Sequence, residues 1–217
     1  MAAIDLDGTL VDSVPDLSWA GDEMLRQLGL EPRGEATARL YVGNGLERFV
    51  KRLFTNTMQG EPDENLLAEA LPLYREIYAE NTCRLSTVYP GVTEGLDYLR
   101  ACEVKLACIT NKAGVFTESL LQQIGLIDFF DLIVSGDSTP KRKPHPLPLQ
   151  HAAQVLNVPA SRSLMIGDSK NDVLAAIAAG FRIICVPYGY NHGEDIRKTR
   201  PDAVIESMAE LPSLFST

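Results

Sequence analysis

Four short clusters of polar residues in this 217-residue chain have the types and the setting to do chemistry. The first is Asp5-Leu6-Asp7-Gly8-Thr9, with Asp12-Ser13 close behind. Two carboxylates at i and i+2 of a strand share one face, but at a strand end the second can turn away with the following loop. Asp7-Gly8 is a turn signal, so a solvated turn is the plain alternative. The second cluster, Thr110-Asn111-Lys112, offers a hydroxyl, an amide and an amine after an apolar run. Such a loop can hold a phosphate with side chains and backbone N–H groups, although Thr and Asn are equally common as helix caps. The third, Lys141-Arg142-Lys143-Pro144-His145-Pro146, is a charge run of the kind usually left in water. A lysine before proline, however, sits on stiff, extended backbone. The fourth, Gly167-Asp168-Ser169-Lys170-Asn171-Asp172, places one aspartate at the tip of an apolar run and another in the first turn of a helical pattern. There either could be a simple helix-start charge.

The elements around these clusters decide between the readings. Apolar, Ile/Val/Leu-rich runs at 2–6, 105–109, 132–135, 163–166, 182–186 and 203–205 have strand length. Amphipathic stretches at 115–124, 147–156 and 172–179 lie between them. This alternation predicts an α/β fold, a Rossmann-like parallel sheet with helices on both faces. Residues 15–81 differ. Leu17, Met24, Leu25 and Leu28 recur at helical spacing with Gly29 as a stop, and 46–54 and 66–78 are helical on either side of Gly60-Glu61-Pro62. A helical cap domain at 15–81, inserted into an α/β core made of 1–14 and 82–217, is the expected organisation. Ligands of open parallel sheets bind beyond the carboxyl ends of the strands. All four clusters fall at such ends. Each plain alternative is tolerable alone, but four together at one edge are not.

Composition narrows the field further. Hydrophobic residues make up 45% and charged residues 23%, an ordinary globular balance. The formal net charge of -9 disfavours nucleic acid and anionic membranes as partners. Within a pocket, a bound dication and a buried lysine can invert that sign for an anionic substrate. No apolar run approaches the ~20 residues of a membrane helix, and Met1-Ala2-Ala3-Ile4-Asp5 carries no basic segment before an apolar one. A cytoplasmic protein is therefore expected. The first strand has almost no lead-in before Asp5, which leaves a clipped start as one reading. Cys83, Cys102, Cys108 and Cys185 lack metal or redox spacing and are expected to be structural thiols. Oligomeric state stays open between monomer and dimer.

Asp5-Leu6-Asp7-Gly8-Thr9, then Thr110, Lys143 and Gly167-Asp168 through Asp172, together with the helical insertion, resemble the haloacid dehalogenase superfamily over essentially the whole chain. Asp12-Ser13 and Tyr188-Gly189-Tyr190-Asn191 resemble more narrowly its phosphoglycolate phosphatase branch. The resemblance implies a phosphatase for a small phosphate monoester, 2-phosphoglycolate first, working through an aspartyl-phosphate with Mg2+ as cofactor. It makes Asp5 the nucleophile and Asp7 the general acid and base, and assigns Thr110 and Lys143 to both catalysis and phosphate binding. Asn111 joins them as a substrate contact. The metal ligands it implies are the Asp5 carboxylate, the Asp7 backbone carbonyl and the Asp168 carboxylate, with Asp172 orienting a metal water or Lys143. The aspartate at position 7 argues against the superfamily's dehalogenases and phosphonatases, which lack it.

Gly43-Asn44-Gly45-Leu46-Glu47-Arg48 is not a dinucleotide fingerprint, because the sixth position is arginine and no strand precedes it. In the resembled branch such a loop faces the active site, so Arg48 is the first choice to meet a substrate carboxylate, ahead of Lys51 and Arg52. A solvated helix charge is the plain alternative for each. Competing functions are a phosphatase of sugar phosphates or nucleoside monophosphates, a phosphosugar mutase, and a non-catalytic binding protein. The last would be favoured by loss of an acidic motif residue, and Asp5, Asp7, Asp168 and Asp172 are all present.

Overall fold

The computed structural model describes residues 1–215. In chain order the elements are β1 (Ala2–Ile4), β2 (Val11–Asp12), α1 (Val14–Gln27), α2 (Glu35–Tyr41), α3 (Leu46–Thr55) and α4 (Glu64–Glu80). There follow β3 (Thr87–Val88), α5 (Val92–Ala101), β4 (Leu106–Ile109), α6 (Gly114–Gln123), β5 (Leu132–Val134) and α7 (Leu147–Val155). The chain closes with β6 (Leu164–Gly167), α8 (Lys170–Ala179), β7 (Arg182–Cys185), β8 (Ala203–Val204) and α9 (Leu211–Phe215).

Six strands form one sheet in the order β5-β4-β1-β6-β7-β8, every neighbouring pair parallel. The expected α/β parallel sheet is what the chain forms. Its strands are buried on both faces, which is why they are short apolar runs without polar alternation. Side chains of alternate residues still go to opposite faces. Ile4, Cys108, Ile166 and Ile184 join one apolar cluster, while Ala3, Ala107, Met165 and Ile183 join another. Cys108 and Cys185 are buried among them, and all four cysteines are free thiols.

β1 lies at the centre, with β4 hydrogen-bonded on one side and β6 on the other. The chain thus leaves β1 in one direction and returns to its other flank later. This reversal of strand order opens a crevice at the carboxyl edge. Asp5, Thr110 and Asp168 are the residues that follow β1, β4 and β6 at that crevice.

Helices α1 to α4 bury Met24, Leu25, Leu53, Tyr74 and Tyr78 in a cluster of their own, joined by Phe116 and Tyr190 from the sheet side. α1 stops where expected, with Leu28 as its cap and Gly29 at φ +73°. α2 was not anticipated. Only Ala38 and Tyr41 of its seven residues are buried, so it lacks an apolar stripe to detect. The two crossings into and out of this helical segment pair as a short antiparallel ribbon, Val11 with Val88 and Asp12 with Thr87. Two-residue strands leave no periodic signal, so this ribbon was also missed. Among the described residues, no helix is long and apolar enough to cross a membrane.

Asp16, in the first turn of α1, pins the return crossing. Its buried carboxylate accepts hydrogen bonds from the Leu85 N–H at 2.9 Å, the Ser86 N–H at 2.7 Å and the Ser86 hydroxyl at 2.6 Å. Asp16→Ala orphans these donors and should cost about 1–3 kcal/mol of stability in urea unfolding. Amide exchange at Leu85 and Ser86 should rise most, and unchanged exchange there would refute this anchoring.

Candidate active site

Asp5, at the tip of β1, is 9% exposed. Its Oδ1 accepts from the Leu6 N–H at 2.8 Å and lies 2.8 Å from Lys143 Nζ, so Oδ2 is left outside these bonds. Lys143 reaches the same point from the loop beyond β5. Its Nζ also contacts Asp172 Oδ1 at 2.7 Å and donates to the Ile109 carbonyl at 2.5 Å. An ammonium has three donors, and all three are used. Asp172 meanwhile accepts from the Ser169 N–H at 3.1 Å and the Ser169 hydroxyl at 2.6 Å. Asp172 thus bonds the start of α8 through one carboxylate oxygen and Lys143 through the other.

Asp168 is 2% exposed and accepts from the Thr9 hydroxyl at 2.8 Å and from the Tyr190 N–H. Two glycines let the backbone approach it this closely. A Cβ at Gly189 would lie 2.3 Å from Asp168 Oδ2, and one at Gly8, whose φ is +88°, would lie 2.4 Å away. Gly8 serves the expected tight turn as well.

Oxygens of Asp5, Asp168 and Asp172 lie within 4.8 Å of one another. Lys143 pairs with Asp5 and Asp172, so the three carboxylates, when ionised, exceed this cation by two negative charges in a nearly dry space. Burial pushes the Asp168 carboxyl up to about 7, repulsion from Asp172 adds to this, and the bonds from Tyr190 and Thr9 oppose it. Burial likewise raises Asp5 well above the usual carboxylate range, with Lys143 acting against the shift. Burial by itself would lower the Lys143 ammonium, but Asp172 and Asp5 together raise it. An all-oxygen donor set with two uncancelled charges fits a hard dication such as Mg2+ or Ca2+.

Asp7 faces the crevice from the turn. Its Oδ1 is 3.0 Å from Lys112 Nζ and accepts from the Ser13 hydroxyl at 2.5 Å. The Thr110 oxygen accepts from the Lys112 N–H at 3.1 Å, which leaves its own hydroxyl proton to donate. Asp5, Asp7, Thr110, Asn111 and Lys112 all line one pocket, and Leu17, Val42, Leu46, Phe49, Tyr74 and Tyr78 of the helical segment cover it.

Two expected contacts are placed differently. Asn111 lines the pocket, but its amide nitrogen donates to the Gly43 and Lys143 carbonyls, both at 2.9 Å, and so ties the helical segment to the Lys143 loop. Arg48 turns away to the Met58 carbonyl at 2.7 Å and to Glu61 at 2.5 Å. Lys51 pairs with Glu47 and Glu61, and Arg52 donates to the Tyr41 carbonyl at 2.6 Å. Helical geometry explains this. Leu46 and Phe49 take the α3 face over the pocket, so residues 48, 51 and 52 fall on another face, toward the 58–61 loop.

Two further contributors have contacts that the sequence does not announce. Lys112, expected as an amine of the possible phosphate loop, pairs instead with Asp7, and no local signal announces an ion pair across 105 residues of chain. Tyr190 donates to Asp12 and accepts from the Ser13 and Val14 N–H groups at 2.9 and 3.3 Å, locking the crossing into α1. Tyr190 belongs to the Tyr188-Gly189-Tyr190-Asn191 run that carries the resemblance, but its bonds to Asp12, Ser13 and Val14 leave no signal in the sequence. Lys143→Met would leave Asp5 and Asp172 uncompensated and should destabilise the metal-free fold by about 3–5 kcal/mol in urea. A divalent cation should restore part of the loss, whereas a variant as stable as the parent would contradict this charge balance.

The architecture and the sequence agree with known proteins. The family model described as haloacid dehalogenase-like hydrolase matches residues 3–186. A phosphoglycolate phosphatase of Nitrosococcus oceani is 50% identical over 216 residues, covering 100% of this chain and 96% of that protein. One from Nitrosospira multiformis is 47% identical over 212 residues, covering 98% and 93%. Among solved structures, a predicted phosphoglycolate phosphatase from Haemophilus somnus superposes with a TM-score of 0.93 at 30% identity, covering 99% of this chain and 96% of that one. The parallel sheet, the acidic cluster at its carboxyl edge and these full-length similarities place the chain in the haloacid dehalogenase-like hydrolase family.

Proposed function

We propose that this hydrolase is a magnesium-dependent phosphatase that converts 2-phosphoglycolate and water into glycolate and phosphate. The observation that carries the reading is the pair of carboxylates, Asp5 and Asp7, lining one pocket with Thr110, while Asp5 Oδ2 stays outside the bonds that Oδ1 makes to Leu6 and Lys143. Full-length similarity to phosphoglycolate phosphatases supports the choice of substrate.

A phosphate dianion repels an attacking carboxylate, so charge must be cancelled at the transferring group. A magnesium ion bound by the Asp5 carboxylate, the Asp7 backbone carbonyl and the Asp168 carboxylate would supply most of that cancellation. Lys143 holds Asp5 in line and adds a further positive charge, while Asp172 and the Ile109 carbonyl keep the lysine in place. Thr110 donates its free hydroxyl proton to a phosphoryl oxygen. Asp5 Oδ2 attacks phosphorus, the ester P–O bond breaks, and Asp7 gives its proton to the departing glycolate oxygen. Asp7 then takes a proton from water as that water attacks the acyl phosphate. The bond from phosphorus to Asp5 breaks, and phosphate leaves. Two jobs at different atoms explain two carboxylates. Ser13 and Lys112 keep the second one turned into the pocket.

In this reading residues 1–14 and 82–217 are the catalytic core and 15–81 the cap. The cap acts as a lid whose apolar face excludes water from the acyl phosphate. The Gly43 carbonyl, gripped by the amides of Asn111 and Asn171 at 2.9 and 3.1 Å, is the contact that opening must break. Exchange at the two crossings should slow when a phosphate analogue binds; identical exchange in the free and bound protein would remove the lid.

Phosphate release from 2-phosphoglycolate is the direct test. Chelation should abolish it, magnesium should restore it, and calcium should support little turnover because its looser coordination misplaces the nucleophile. Asp5→Asn should fold normally and lose turnover by roughly three orders of magnitude or more, since an amide cannot form the acyl phosphate. A well-folded Asp5→Asn protein with full activity would eliminate covalent catalysis.

A further inference from the structure

The phosphatase reading leaves the other end of the substrate without a partner. A phosphorylated acid carries a carboxylate as well as a phosphate, and an anion taken into a dry pocket needs a charge or hydrogen-bond donors there. Arg48, Lys51 and Arg52 are committed to acceptors in or beside the 58–61 loop and to Glu47 and Tyr41. Lys143 has spent its three donors on Asp5, Asp172 and the Ile109 carbonyl. Arg142 is exposed, and its Nε donates to the Gly136 carbonyl at 2.6 Å.

Lys112 is different. Its side chain is 5% exposed, and it lines the pocket. Its Nζ spends itself on one carboxylate, 3.0 Å from Asp7 Oδ1 and 3.4 Å from Oδ2. Three N–H donors against one carboxylate leave at least one to give. The Tyr78 ring lies 4.9 Å from Nζ and is fully buried, which holds the ammonium against the wall on the side of the helical segment. Of the cover contributed by the helical segment, the Leu17, Val42, Leu46 and Phe49 side chains are apolar, Tyr74 gives its hydroxyl proton to the Leu17 carbonyl at 3.3 Å, and none of them carries a positive charge.

We propose that Lys112 is the specificity-determining residue, receiving the carboxylate of a small phosphorylated acid while Thr110 donates to its phosphate and Lys143, its donors spent, adds only its charge there. The proposal rests on the phosphatase reading of the same pocket. One partly spent ammonium matches a monoanionic carboxylate and is poorly matched to a second phosphate dianion, which calls for more donors. The residue pattern points to Arg48, Lys51 or Arg52 in the helical segment for this cation, whereas Lys112 lies in the loop after β4, two residues from Thr110. Because Lys112 also touches Asp7, a group that reads the substrate and a group that turns it over share one hydrogen bond.

The test uses non-hydrolysable phosphonates, so that recognition is read apart from turnover. Calorimetric titration of the intact, magnesium-loaded protein with 3-phosphonopropionate and with propylphosphonate compares ligands that differ in the carboxylate. The parent should bind the acid about 10- to 100-fold more tightly. Lys112→Met should reduce that ratio to near one, Lys112→Arg should keep part of it, and Arg142→Gln should leave it unchanged. Thermal unfolding of each variant checks that the fold survives, and Lys112→Gln replaces Lys112→Met if the latter does not fold. Equal affinity for the two phosphonates in the parent, an unchanged ratio in the lysine variants, or an equal loss for both ligands would overturn the proposal. The last would make Lys112 a phosphate contact. Loss of the ratio in Arg142→Gln would also overturn it by moving the role to the rim. Failure of the phosphatase reading shows up separately, as absence of phosphate release from any ester by a protein that still discriminates the two phosphonates.

Discussion

Lys143 is held by the Ile109 carbonyl, Asp172 and Asp5 in a space from which water is nearly excluded, and the remainder of the site is arranged around that ion. A buried ammonium with a missing partner would be strongly unfavourable, so its three acceptors must arrive together. They come from three places in the chain: the end of β4, the tip of β1 and the start of α8. Satisfying one lysine therefore draws the strand ends into register. The same contacts bring too much negative charge into one place, with burial pushing Asp168 up to about 7. A fold that concentrates carboxylates this way holds its charge balance in reserve for a cation and a phosphate.

Topology makes the convergence possible. β1 sits between β4 and β6, so the ends of three strands far apart in sequence are neighbours at the carboxyl edge. Pairing of Ile4 with Cys108 and Ile166 sets Asp5 level with Ile109 and Gly167, with Thr110 and Asp168 one residue further out. Glycine completes the arrangement where side chains would collide. Neither Gly8 nor Gly189 can carry a Cβ without displacing the Asp168 carboxylate. Stability and chemistry are bound together here, because the groups that hold the loops are the groups that face the pocket.

The helical segment plays a different part. Arg48, Lys51 and Arg52 stay on its own surface, and the side chains it turns toward the site, Leu17, Val42, Leu46, Phe49, Tyr74 and Tyr78, carry no charge. Its polar links to the core run through the Gly43 and Leu40 carbonyls and the Arg39–Asp12 pair, with Tyr190 and Asp16 fixing the two crossings. An apolar cover excludes water well and recognises little. Recognition is then left to the core loops, where Lys112 is already in place.

The sequence by itself determined the parallel sheet, the helical insertion and the identity of the residues at the strand ends. Those features are local: apolar runs of strand length, helical periodicity, and polar clusters directly after each run. Asp5, Thr110 and Asp168 each sit one residue beyond a strand whose burial shows in the sequence. Asp7 and Asp172 follow in the next turn and the next helix start, and Lys143 lies farther on in the loop after β5. Elements too short or too polar to carry a period, the β2–β3 ribbon and α2, could not be found there. Tertiary structure alone decided where flexible cations end up. Arg48 lies in a loop-and-helix pattern that faces the pocket, yet helical phase turns its guanidinium to the 58–61 loop, where three carbonyl and carboxylate oxygens receive it. Lys112, the last residue of the Thr110-Asn111-Lys112 loop, gains its place by reaching Asp7 across the crevice and lying against the Tyr78 ring. A long side chain goes to whichever acceptor the packed fold puts within reach, and that distance exists only after the chain has folded.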